Sequence, residues 1–74
     1  MLTPKDLHDR ENELMNQVMY NFKKGIQDKV LQSECMAIRE SIAGARLRDF
    51  LQAAVRNQEY LTAQGIKNAM DWIA

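Results

Sequence analysis

The chain has 74 residues, a formal net charge of zero and one cysteine. That leaves room for a single small domain and excludes an internal disulfide. Balanced charge also argues against a dedicated nucleic-acid or membrane-surface protein, since both carry excess Lys and Arg.

The charge is unevenly placed. Residues 1–22 carry a net −2, residues 23–56 a net +3, and the remainder −1. An acidic first segment beside a basic middle implies complementarity within the chain or between subunits. No apolar run reaches the length of a signal-peptide core or a membrane span, so the expected location is cytoplasmic. A chain this short buries only about 60–65 % of its unfolded surface, and oligomerisation or a partner commonly supplies the rest.

The first element is the best specified. Thr3 reads as an N-cap, Pro4 as the first helical residue, and Asp6 stands where a carboxylate closes a capping box. Leu2 and Leu7 occupy hydrophobic-staple positions, and the whole start suggests that Met1 begins a folded domain. The helix is expected over about residues 4–24. Its apolar stripe is Leu7, Leu14, Met15, Val18, Met19 and Phe22, with Met15 and Met19 filling the core against the next helix. Glu11 interrupts that stripe and is expected to be half exposed, reaching water or a basic residue. Tyr20 points away from it.

Lys23 and Lys24 suit the negative helix end, Gly25 supplies a left-handed cap, and Ile26 can fold back onto Phe22. Asp28 then caps a second helix, which the short connection makes an antiparallel neighbour of the first.

The central segment carries two apolar faces. Before Gly44 the stripe is Leu31, Cys35, Ile38 and Ile42; after it, Leu47, Phe50, Leu51 and Ala54. Along a straight helix these faces point about 150° apart. Isolated Gly costs only about 1 kcal/mol in a helix, and no Pro, Asn or Asp lies within three residues to make a turn. The expectation is one long helix, continuous or kinked, over 28–56, with a short turn at Gly44 as the alternative. It hands its apolar face from the first helix to a third helix or a second subunit. The third helix, about 58–73, presents Ala63, Ile66, Met70 and Ile73, with Leu61 and Trp72 on another side. The fold class is therefore all-α: a small three-helix bundle completed by oligomerisation or a partner.

Chemistry-bearing motifs are missing. His8 is flanked by Asp6 and Asp9 on a helix read as exposed, with no second ligand at metal spacing. Cys35 sits on an apolar stripe, where it acts as a small hydrophobe. Gly25, Gly44 and Gly65 are isolated, so no phosphate-binding loop exists. No catalytic residue, metal, cofactor or small-molecule substrate is expected.

What stands out is apolar side chains off the main stripes. Tyr20, Met36, Leu61 and Trp72, with Leu47 and Phe50 of the second central face, form the expected partner interface. The reading is a non-enzymatic protein–protein interaction module, an adaptor, chaperone or structural subunit that self-associates. Phe50→Glu is then expected to harm solubility or assembly far more than Arg39→Glu. The alternative is a small dimeric nucleic-acid-binding regulator using Arg46, Arg48 and Arg56. A helix-turn-helix at Gly44 would support it, and Glu40 stands where a small residue is needed.

Overall fold

The computed structural model describes residues 1–74 and is entirely helical, with four helices: α1 (Pro4–Lys23), α2 (Lys29–Ile42), α3 (Leu47–Arg56) and α4 (Tyr60–Ile73). The expected long central helix is two helices. Gly44 takes φ +86°, a left-handed conformation that ends α2, and α3 restarts three residues later.

One stop is used three times. The amides of Gly25, Gly44 and Gln58 donate to the carbonyls of Phe22, Ser41 and Val55. Those of Ile26, Ala45 and Glu59 donate to Asn21, Glu40 and Ala54. Each pair satisfies the last carbonyls of a helix in the Schellman pattern, which needs a left-handed residue and no proline. At the third stop that residue is Gln58, at φ 59°. A side chain there is strained by about 1–2 kcal/mol. Gln58→Gly is therefore expected to raise stability by about 0.5–1 kcal/mol after the entropy of the unfolded glycine is subtracted. Urea unfolding checks it.

The predicted caps are present. Thr3 N–H donates to Asp6 Oδ2 at 2.9 Å and Asp6 N–H donates to Thr3 Oγ1 at 3.2 Å, closing the box. The Leu31 amide donates to Asp28 Oδ1 at 3.0 Å at the start of α2. Hydrogen bonds from the Thr3 backbone and side chain hold the Asp6 carboxyl below its ordinary value. A depressed carboxyl pKa contributes stability that is fully present above the unfolded value, about 3.9, and is lost as pH falls through the folded one. Asp6→Asn should thus lower stability at neutral pH and shrink that difference in acid, as unfolding at several pH values would show.

The helices neighbour one another in the order α1–α2–α4–α3: α2 lies against both α1 and α4, α3 lies mainly on α4, and the backbone of α1 lies against α2 alone. Leu14, Ile38 and Ile66 are the largest fully buried side chains, one each from α1, α2 and α4. Because α2 is central it buries two faces. Cys35 and Ile38 belong to the predicted stripe, while Ser33, Glu34 and Ala37 were not expected to be buried. The second face meets α4 where Gly65 sits. A Cβ on Gly65 would stand 2.6 Å from Ser33 Cβ and 2.8 Å from the Glu34 amide nitrogen, and closer still to the Val30 carbonyl oxygen. Gly65 lets the two backbones touch.

No helix is long and apolar enough to cross a membrane.

Candidate functional site

Two ion pairs clamp α1 to α2. Arg39 Nε donates to Glu11 Oε2 at 2.8 Å, which matches the expected acidic-to-basic complementarity and accounts for Glu11 on the stripe. The other runs in the opposite sense: Arg10 Nη2 of α1 meets Glu34 Oε2 of α2 at 2.9 Å, with the guanidinium 5.4 Å from the centroid of the Trp72 ring. Arg39→Glu would therefore break an interhelical ion pair and set a carboxylate beside Glu11.

The six residues expected to form one interface lie in different places. Leu47 is 8 % exposed and belongs to the core, where it anchors the start of α3. Trp72 packs against the core beneath Arg10. Tyr20, Met36, Phe50 and Leu61 are exposed. Tyr20 carries the Lys24 ammonium over its ring at 4.9 Å, a cation–π contact on the flank of α1 away from Met15 and Met19. Met36 shares a groove with Met15, Val18 and Cys35 between α1 and α2. Phe50 and Leu61 sit on α3 and α4.

The expected stripe of α1 was too broad. The side that meets α2 is Leu7, Glu11, Leu14, Val18 and Asn21, a strict 4-3-4-3 spacing, and these residues are buried or half-buried. Met19 and Phe22 are instead 53 % and 71 % exposed, so neither fills the core, and Ile26 is exposed too. Periodicity alone holds the missed signal: His8, Asn12, Met15, Met19 and Phe22 repeat the same spacing one residue along. Two adjacent heptad seams on one helix imply two neighbours. Only the first is present.

Comparison of the chain with protein-family models, with curated proteins and with solved structures finds no match.

The chemistry of the remaining surface is sparse. No group of three His, Cys, Asp or Glu side chains is placed to hold a metal ion. Cys35 is buried with its Sγ 3.9 Å from the Glu11 carbonyl oxygen, and burial pushes its thiol pKa up while the nearby Arg39 partly opposes. That favours the neutral thiol, the unreactive form. His8 lines none of the clefts. The largest cleft, about 570 Å³, is an open one between the start of α3 and the end of α4. Leu47, Met70 and Ile73 contribute its apolar wall, and Arg46, Arg48 and Asp49 its charge. Arg56 lies at the other end of α3, so the three arginines expected to act together do not form one cluster.

Proposed function

We propose that the chain is a non-enzymatic interaction module that works by covering its open apolar surface with a protein partner, its own second copy included. One observation carries this. A compact monomer of 8.6 kDa exposes about 4,700 Å², whereas this chain exposes 5357 Å². Large apolar side chains lie on that surface: Met19, Phe22, Met36, Val55, Tyr60 and Leu61 all stand exposed. Scattered single residues need no explanation, but a second seam along α1 is a pattern.

Site-specific photo-cross-linking in the source cell tests the reading. A photoreactive residue at Met36, Phe50 or Leu61 is expected to capture protein at one or more of these positions, while one at exposed Asp71 captures none. Cross-links to nucleic acid, or none anywhere, would remove the proposal.

The break at Gly44 gives the nucleic-acid alternative one supporting feature. A four-residue turn, Ala43 to Arg46, now joins α2 to α3, and that is the turn length of a helix-turn-helix. Arg48, Gln52 and Arg56 are exposed on α3. Set against it, α3 packs mainly on α4 and only slightly on α2, whereas the motif packs its two helices on each other. Duplex-DNA binding that weakens steeply with salt and is lost in Arg48→Glu is the result this alternative requires.

A further inference from the structure

We infer that the partner of α1 is the α1 of a second copy, packed antiparallel about a two-fold axis across Met15, Met19 and Phe22. The inference rests on the interaction-module reading and gives it an occupant. Three observations point the same way.

The first is the free seam itself. His8, Asn12, Met15, Met19 and Phe22 keep heptad spacing, and all but Met15, which is half-buried against the core, are exposed. The adjacent side of α1 is occupied by α2, and α4 reaches α1 through the Trp72–Arg10 stack. The groove holding Met15 and Met36 runs beside this seam, so an added helix would cover Met36 as well.

The second is charge. The first half of α1 carries Asp6, Asp9, Glu11 and Glu13 against Lys5 and Arg10, while its end carries Lys23 with Lys24 just beyond. An antiparallel two-fold that faces Met15 with Met19 of the second copy centres on Gln17. It brings Asp9, which Lys5 of its own chain holds at 2.9 Å, beside Lys23 of the other chain, twice per dimer. A parallel pairing would instead set acid against acid and base against base. The helix is self-complementary in one orientation only.

The third is area. The surface excess over a compact monomer of this mass is roughly 650 Å², close to the ~800 Å² that each partner contributes to a standard interface.

Sedimentation equilibrium of the full chain at micromolar concentration is expected to give a mass of two chains. Met19→Asp and Phe22→Lys alter side chains that face solvent in the single chain, so both should keep their far-ultraviolet helicity. Each should raise the dimer dissociation constant by about 100-fold, whereas Val55→Asp on α3 should leave it unchanged. Orientation is read by mild oxidation of cysteine variants. Asn16→Cys should cross-link to itself. Lys23→Cys should cross-link to Asp9→Cys in a mixture and not to itself, with buried Cys35 out of reach. A folded chain that stays monomeric at these concentrations overturns the inference, and so does a dimer indifferent to both α1 variants. Assemblies larger than two that Val55→Asp dissolves would also overturn it, because they would require unlike faces to meet. Cross-linking of Lys23→Cys to itself would exclude the antiparallel arrangement. A foreign protein captured in the cell at Leu61 alone would leave the broader module reading intact while refuting this one.

Discussion

Gly65→Ala is expected to lose about 2–3 kcal/mol, even though alanine is the better helix former. Replacing glycine inside a helix normally gains about 1 kcal/mol. Here the added methyl has nowhere to go. Two of the atoms it would strike, the Val30 carbonyl oxygen and the Glu34 amide nitrogen, belong to the α2 backbone, and the third is Ser33 Cβ. None is the far end of a flexible side chain, so α2 and α4 would have to separate, and overpacking of this kind costs about 1–3 kcal/mol or more. The total stability of a 74-residue domain is about 4–11 kcal/mol, and Gly65→Val should leave the chain largely unfolded. Gly44→Ala is the control. Its Cβ would meet nothing within 4 Å, but its φ of +86° disfavours any side chain, for a cost of about 1 kcal/mol. Urea unfolding followed by helicity separates the two. A Gly65→Ala loss no larger than that of Gly44→Ala would mean that the close approach contributes little.

That contrast also explains which parts of the fold were legible in the sequence. Local signals read well: the Thr3–Asp6 box, the Asp28 cap and the Gly25 stop depend on residues a few positions apart, and all are present. The break at Gly44 was misread because a turn was expected to need Pro, Asn or Asp, whereas one left-handed glycine suffices when the next two amides fold back. Hydrophobic patterning found the predicted face of α2 but missed its second face. That face is made of Ser33, Glu34 and Ala37, none of which a search for large apolar residues would mark. Tolerance for small side chains there comes from Gly65, a residue some 30 positions away in sequence, so the pairing is a tertiary fact. The candidate interface suffered the opposite error. Met19 and Phe22 look like core on any helical wheel, and only the identity of the helix that covers α1 shows that they are left outside.

The second large effect concerns Arg10. Its guanidinium holds Glu34 at 2.9 Å and Glu13 at 3.3 Å and lies over Trp72, so one side chain of α1 reaches both α2 and α4. The Arg10 and Glu34 side chains are only 24 % and 10 % exposed, which puts this pair well inside the range where removing one partner strands the other. Arg10→Ala should cost about 2–3 kcal/mol, reduced from the fully buried range because water still reaches the guanidinium. Arg10→Lys should recover less than half of that, since an ammonium cannot bond two carboxylates in a plane and stack on an indole together. Trp72 is the sole tryptophan, so its emission should shift to the red when Arg10 is lost and the ring is opened to water. The Arg10 Nε is buried with no hydrogen-bond partner, a cost the native pair carries. It follows that Arg10→Met combined with Glu34→Leu should be far less destabilised than the two single changes added together, and close to wild type. If the double variant instead loses the sum of both, the guanidinium and carboxylate act independently, and the contact between α1 and α4 depends on the Trp72 stack alone.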